Sequence, residues 1–280
     1  MIHTAQQLKA LVRNLSKEDS SKGQIILRNY VAERFLERVS LSRFRSNLIL
    51  KGGMLIASII GLDKRSTMDI DTTIQNAPIS EDDVAAMVEE ICTIHIDDGI
   101  KFSITSTKSI MAEMDYPGIR VFLEAILDKT RIPLKLDFST DDVITPHAIE
   151  YPYSLLFEDR SIDVLAYNNE TILAEKMQTI IARGITNTRM RDFYDIYALL
   201  SLLGGSINWN VLGTAFRNTC HKRNTDVSLG NLEMTLIEIQ EDKELEESWS
   251  RYQKKNDYAH DVSWGIAQKA LTTTFNNIDN

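Results

Sequence analysis

The stretch that decides the fold is "LKGGMLIASIIGLDKRSTMDIDTTI", residues 50–74. Its last six residues alternate in character, which predicts a β-strand. Because successive side chains of a strand point to opposite faces, Asp69, Asp71 and Thr73 share one face. Two carboxylates about 7 Å apart on one face repel each other unless a positive group lies between them. The pair therefore indicates a cation site, with solvated carboxylates on an edge strand as the alternative.

Two glycines precede this strand. Gly52 and Gly53 join the apolar "NLILK" to "MLIASIIGL", whose continuous apolarity predicts a buried helix. The backbone N–H groups of such a turn approach an anion closely, and the helix N-terminus adds partial positive charge. The turn has two interpretations, a phosphate-binding loop or only a tight corner between strand and helix.

A third carboxylate lies in "LKLDFS", residues 134–139, where Lys135, Asp137 and Ser139 share one face of a predicted strand. If this strand lies beside the first, Asp137 joins Asp69 and Asp71 around one point. Three carboxylates without His or Cys favour a hard divalent cation, Mg²⁺ or Mn²⁺.

The helical segment "ILAEKMQTIIARGITNTRMRDFYDIYALL", residues 172–200, has charged groups at unusual positions. Lys176 falls within the apolar stripe of its helix, where it must extend to solvent or meet a buried anion. Asp192 and Asp195 lie three residues apart in the next helix. For Asp195 the alternative is an intrahelical network in which Arg191 pairs with Asp195 at i, i+4, worth only about 0.3 to 0.5 kcal/mol.

The remaining pattern predicts an α+β fold, with a mixed β-sheet core, flanking helices and a C-terminal helical region. Further strands are expected at "KFSITSTKSI", "GIRVFLEAIL" and "IPLKLDFST", with a turn at Pro117-Gly118 and a helix over 80–96 that starts at a Ser80–Asp83 capping box. Helices are expected at 171–183, 190–203, 209–221, 230–254 and 258–274. We expect a basic helical segment at 1–46, the sheet core at 47–165 and a helical domain at 166–280.

The composition is that of a globular protein, with 280 residues, 43% hydrophobic residues and a net charge of -9. The first 51 residues nevertheless hold ten Lys or Arg against four acidic residues, which indicates a basic surface or only solvated helix faces. Cys92 and Cys220 have no metal-binding or redox spacing. No apolar run approaches the roughly 20 residues that span a bilayer, and the N-terminus lacks a signal-peptide pattern. We expect a cytoplasmic protein without a membrane partner.

The segment "LKGGMLIASIIGLDKRSTMDID" resembles motif I of the nucleotidyltransferase superfamily, a Gly-Gly or Gly-Ser turn followed by a strand with two aspartates. The later "AEK" and "RMRDFYD" resemble signatures of one branch, the AbiEii/AbiGii toxin family of abortive-infection and type IV toxin–antitoxin systems. The resemblance covers about residues 48–203. It implies a nucleotidyltransferase-like sheet core that transfers a nucleotide from an NTP to an acceptor hydroxyl and releases pyrophosphate.

The resemblance also implies roles for individual residues. Asp69, Asp71 and Asp137 would bind the metal, and Asp137 is in addition the candidate general base. The side chains and amides that would contact phosphate are those of Gly52, Gly53, Arg65, Ser66, Thr67 and Lys176. Asp192 or Asp195 would complete the pocket, and the sequence does not decide between them.

Three hypotheses follow for the function. The first is a Mg²⁺-dependent toxin that modifies a tRNA 3′ end and is restrained by a cognate antitoxin, where the tRNA is implied by the resemblance. The second keeps the transfer but takes a protein or small-molecule acceptor. The third is an NTP-binding protein without transfer activity.

Overall fold

The computed structural model describes residues 2–77, 80–110 and 118–278. The strands within these ranges are seven: β1 (Leu48–Lys51), β2 (Asp69–Ile74), β3 (Ile100–Ile110), β4 (Gly118–Leu127), β5 (Thr130–Thr140), β6 (Ile149–Ser154) and β7 (Ser161–Ala166). They form one sheet in the order β3-β4-β5-β2-β1-β7-β6. Strand β2 is parallel to β5 and β1 is parallel to β7, whereas the other neighbours are antiparallel.

The helices of the described ranges alternate with strands at first and then follow one another. They are α1 (Ala5–Ser16), α2 (Ser20–Leu41), α3 (Gly52–Ile60), α4 (Glu81–Thr93), α5 (Asn169–Arg183), α6 (Met190–Leu203), α7 (Trp209–Lys222), α8 (Leu229–Glu241), α9 (Lys243–Lys255) and α10 (Trp264–Ile278). None of them combines the length and the apolar character needed to cross a membrane. The predicted α+β class, with a mixed sheet and flanking helices, is confirmed.

The chain divides into two compact units. The first consists of Met1–Leu62, Ser66–Asp142 and Ile149–Ala166, and it contains the sheet with α1 to α4. The second consists of Asp63–Arg65, Val143–Ala148 and Tyr167–Asn280, and it contains α5 to α10. The three-part division at 1–46, 47–165 and 166–280 stays a prediction.

Local capping explains several helix boundaries. The predicted capping box of α4 is confirmed, because the Ser80 hydroxyl accepts the Asp83 N–H while the Asp83 carboxylate accepts the Ser80 N–H. The single helix predicted over 230–254 is wrong. Asp242 accepts the N–H of Leu245 at 2.7 Å and starts a new helix, so α8 and α9 are separate.

Other differences from the sequence prediction lie in and around the sheet. Strands β6 and β7 were not predicted, and β6 contains Pro152, which an edge strand such as β6 tolerates. The helix predicted over 258–274 corresponds to α10, and backbone N–H groups in the first turn of α10 donate hydrogen bonds to Ser263. The predicted turn at Pro117-Gly118 includes Pro117, which lies outside the described residues.

Much of the positive charge near the N-terminus is neutralised within the first unit. Arg34 and Arg38 are fully buried, and Arg38 forms a two-bond ion pair with Asp98 at 2.8 and 2.9 Å. Ion pairs also join Arg43 to Glu90 and Arg45 to Glu150. The basic surface suggested by the residue count is therefore smaller than the count alone indicates.

Candidate functional site

A glycine turn holds one carboxylate of the first unit in place. Gly52 has a φ of +67°, and a Cβ added to it would lie 2.2 Å from Oδ2 of Asp71. The N–H of Gly53 donates to the same oxygen at 3.3 Å. Only glycine provides both the positive φ and the space at position 52. The turn predicted from the sequence thus contacts Asp71 directly.

The strand register brings the three predicted metal ligands onto one face of the sheet. Asp71 and Asp137 are Cα partners on the parallel strands β2 and β5, and Asp69 is the partner of Lys135. Burial together with the charge of Asp137 raises the pKa of Asp71, whereas the charge of Lys51 lowers it. The carboxylates therefore form a region of excess negative charge.

Two cations contact these carboxylates. The Lys135 ammonium lies 2.6 Å from Asp69 and 3.8 Å from Asp137. The Arg120 guanidinium donates two hydrogen bonds to Asp137, at 2.7 and 2.8 Å. The sequence placed Lys135 on this face but indicated no role for it. Arg120 was not identified, although it lies in "GIRVFLEAIL", whose alternating residues predicted a strand.

A row of four charged residues crosses the sheet at this point. Cα pairing runs from Arg120 on β4 to Asp137 on β5, then to Asp71 on β2 and Lys51 on β1. The Lys51 ammonium is bound by Asp142 at 2.5 Å. Although burial raises the pKa of Asp142, the charge of Lys51 and its hydrogen bonds lower it below the usual range. The sequence did not indicate either Lys51 or Asp142.

The donor set fits a hard divalent cation, because three carboxylates on one face supply only oxygen ligands. Within the described part of the chain, however, no group of three or more His, Cys, Asp or Glu side chains is arranged to hold a metal ion. Asp69 and Asp137 instead contact Lys135 and Arg120. The assignment of Asp69, Asp71 and Asp137 as metal ligands stays a prediction.

The hydroxyl-bearing segment before β2 is held by main-chain contacts. Thr67 is buried, and its hydroxyl lies 3.5 Å from the Asp69 carbonyl oxygen. The Asn29 side chain donates to the Thr67 carbonyl oxygen at 2.7 Å. Ser66 is partly exposed. Phosphate binding by Ser66 and Thr67 stays a prediction.

The other predicted site residues form a buried ion network in the second unit. Asp195 receives hydrogen bonds from the Arg65 guanidinium at 2.6 and 3.3 Å, and the Lys176 ammonium lies 2.9 Å away. Lys176 also donates to Asp192 at 2.6 Å. The side chains of Arg65, Asp192 and Asp195 are each 1% exposed or less. Arg189, which is half exposed, adds a third cation at 3.0 Å from Asp192, so each of the two buried carboxylates contacts two cations.

The charge states of the network follow from these contacts. Burial alone would lower the pKa of Lys176, but Asp192 and Asp195 raise it above the ordinary value. Burial would raise the pKa of Asp195, but Arg65 and Lys176 lower it. These shifts favour the ionised forms of both Lys176 and Asp195.

This network changes two interpretations of the sequence. The intrahelical pair of Arg191 with Asp195 does not form, because Asp195 is fully buried against Arg65 and Lys176 while Arg191 is exposed. The two-bond contact of Arg65 is that of a structural ion pair. Phosphate contact by Arg65 and Lys176, and the relative roles of Asp192 and Asp195, stay predictions.

Comparison with known proteins finds a family model that matches most of the chain and solved structures with a similar fold. The family described as "Nucleotidyl transferase AbiEii toxin, Type IV TA system" matches residues 34–271. MenT4, a nucleotidyltransferase toxin of Mycobacterium tuberculosis H37Rv, is similar in fold, with a TM-score of 0.59, 14% identity and coverage of 97% of this chain and 98% of that chain. JHP933 of Helicobacter pylori gives a TM-score of 0.50 and 15% identity over 91% of this chain and 94% of that chain. No curated protein matches the sequence.

Proposed function

Since the chain belongs to the AbiEii family of nucleotidyltransferase toxins of type IV toxin–antitoxin systems, we propose that it transfers a nucleotide from an NTP to the 3′ end of a tRNA. The transfer releases pyrophosphate and depends on Mg²⁺ or Mn²⁺. We place the reaction in the cytoplasm, where a cognate antitoxin opposes it. The fold that the chain shares with MenT4 is consistent with this proposal.

One observation gives the strongest support to the assignment of the catalytic residues. Asp71 and Asp137 are direct partners on adjacent parallel strands, and Asp69 is two residues from Asp71 on the same face. Backbone hydrogen bonding keeps neighbouring strands about 4.8 Å apart, so the two carboxylates start from adjacent positions. This placement suits residues that bind one reacting group together.

The chain's own groups have distinct tasks in the proposed reaction. Divalent cations bound to Asp69, Asp71 and Asp137 would stabilise charge on the reacting phosphate oxygens. Asp137 would accept the proton of the acceptor hydroxyl. The Gly52–Gly53 turn keeps Asp71 in place through the Gly53 N–H. A contact of Lys176 with the triphosphate is a separate proposal and needs its own test.

The experiment is a transfer assay with each of the four NTPs labelled at the α-phosphate, offered with tRNA, total protein and small hydroxyl compounds in parallel. We expect label on tRNA, and none after chelation of the divalent cation. Asp69→Asn with Asp71→Asn should abolish the transfer. Asp163→Asn, an exposed carboxylate on β7 of the same sheet, is the matched control and should keep it.

The same assay separates the competing functions. Label on protein or on a small compound, with none on tRNA, would refute the tRNA acceptor while retaining the transferase. Growth inhibition in cells that survives the Asp69→Asn and Asp71→Asn changes would show that the toxin acts by binding NTP or another partner. Lys176→Met tests the remaining role: if Lys176 contacts the triphosphate, variant protein that circular dichroism shows to be folded should bind NTP more weakly than the wild type.

A further inference from the structure

The cations on the carboxylate face are held by partly exposed ion pairs. The Lys135 and Arg120 side chains are 27% and 33% exposed, and their partners Asp69 and Asp137 are 41% and 21% exposed. Ion pairs open to solvent contribute little net stability, because water and salt screen them. These two pairs can therefore open at low cost.

Two other ion pairs of the first unit are more buried. Arg38 and Asp98 are 2% and 0% exposed. Lys51 is 13% exposed, and its partner Asp142 is 6% exposed and also accepts from Ser139. Separating such pairs leaves a buried charge without a partner, which is strongly unfavourable. Of these four pairs, only those of Lys135 and Arg120 can open at low cost.

The charges on this face also indicate what could replace the two cations. Three carboxyl groups, those of Asp69, Asp71 and Asp137, share this face with two cationic side chains, Lys135 and Arg120. A divalent cation supplies equal positive charge in a smaller volume and prefers carboxylate oxygens. The divalent cation can bind the carboxylate oxygens of Asp69 and Asp137 only if the Lys135 ammonium and the Arg120 guanidinium move away from them.

We propose that Lys135 and Arg120 are exchangeable counter-cations, which occupy Asp69 and Asp137 in the metal-free protein and move to the phosphate oxygens of the NTP when a divalent cation binds. The inference rests on the proposed function, since it concerns the same carboxylates. Arginine suits this exchange because its planar fork binds carboxylate and phosphate with similar two-bond geometry. In this scheme both side chains contact the nucleotide directly once the metal is bound.

A thermodynamic consequence distinguishes this exchange from a purely structural role. The metal releases the two cations that the nucleotide uses, so metal and nucleotide should each increase the affinity for the other, by the same factor. Removing one of the cations should have opposite effects on the two ligands. The metal alone should bind more tightly, and the nucleotide in the presence of metal should bind more weakly.

The experiment measures Mn²⁺ binding by the electron paramagnetic resonance signal of free Mn²⁺, without nucleotide and at fixed ionic strength. We expect Lys135→Met and Arg120→Gln to bind Mn²⁺ about twofold to fivefold more tightly than the wild type, the range that an exposed ion pair provides. Both variants should bind a non-hydrolysable NTP analogue more weakly when Mn²⁺ is saturating. Lys135→Arg, which keeps the charge, should restore Mn²⁺ affinity to near the wild-type value.

The matched control is Arg131→Gln. Arg131 lies on the same strand β5 and pairs with Glu124, so this variant removes an equal charge from the same strand without touching the three aspartates. It should leave Mn²⁺ affinity unchanged. Circular dichroism and the thermal midpoint of each variant establish that it is folded.

Two results would overturn the inference in distinguishable ways. If the wild type binds Mn²⁺ in a manner that requires Asp69 and Asp71, but Lys135→Met and Arg120→Gln bind it equally or more weakly, the exchange is refuted and the proposed function stands. If the wild type shows no Mn²⁺ binding that depends on Asp69 and Asp71, the metal-dependent function is refuted and the exchange with it.

Discussion

Glu33 makes the stability of the first unit depend on pH. This residue of α2 is 4% exposed, and its carboxylate accepts the N–H of Leu156 at 3.0 Å. Burial raises the pKa of Glu33 from 4.5 to about 7, although the Leu156 N–H and the charge of Arg34 oppose the change. The protonated form is therefore favoured in the folded protein more than in the unfolded chain.

The magnitude follows from this difference in pKa. Below pH 4.5 the carboxyl is protonated in both states and contributes nothing to the pH dependence. Between pH 4.5 and 7 the unfolded chain ionises while the folded protein does not, so the free energy of unfolding decreases as the pH rises. The full loss above pH 7 is about 3 kcal/mol, at about 1.4 kcal/mol for each pKa unit.

Glu33→Gln removes the titration and keeps an oxygen that can accept the Leu156 N–H. We expect the variant and the wild type to differ little at pH 4.5. At pH 8 the variant should be more stable by up to about 3 kcal/mol, reduced by the cost of burying the amide. If burial controls the pKa of Glu33, the stability of Glu33→Gln relative to the wild type must increase as the pH rises.

The assay is urea unfolding from pH 4.5 to pH 8.5, followed by far-ultraviolet circular dichroism. The three tryptophans lie in the second unit, so their fluorescence provides a parallel record of that unit. Glu89→Gln, which changes an exposed carboxylate of α4, is the control and should have no effect. A difference between Glu33→Gln and wild type that does not vary with pH would refute the reasoning.

Further predictions concern the glycine turn and the buried ion network. Gly52→Ala should lower the thermal midpoint and reduce transfer more than tenfold, because its Cβ would displace Asp71, whereas Gly205→Ala, whose Cβ would meet nothing within 4 Å, should do neither. Arg65→Met should destabilise the second unit by up to about 3 kcal/mol in urea unfolding followed by tryptophan fluorescence, because Asp195 loses its two-bond partner and keeps only Lys176. Adding Asp195→Asn to Arg65→Met should recover part of this loss, and a double variant no more stable than the single one would contradict the pairing argument.

The sequence predicted the carboxylate face well because a strand has a simple side-chain period. Alternation alone placed Asp69 and Asp71 together and put Lys135 beside Asp137. It could not predict that Asp71 is the partner of Asp137, because that pairing depends on the register of strands far apart in the chain. The same limit explains why Arg120 was missed as a partner of Asp137.

The second unit was less predictable from the sequence. Lys176 in an apolar stripe correctly indicated a buried anion, which is now seen in Asp192 and Asp195. The contact of Arg65 with Asp195 joins residues 130 positions apart, and no local pattern indicates such a pair. The division between α8 and α9 depends on the cap at Asp242, since the apolar pattern continues across it.

The register of β2 against β5 also limits which changes of chain length the protein can accept. One extra residue between Ile70 and Asp71 would turn Asp71 away from Asp137 and toward the opposite face of the sheet. The two carboxylates would then lie on opposite faces of the sheet, although every original residue would still be present. An insertion or deletion of one residue within this strand should therefore be more damaging to activity than many substitutions. Natural length variation among relatives should be confined to segments outside β2 and β5.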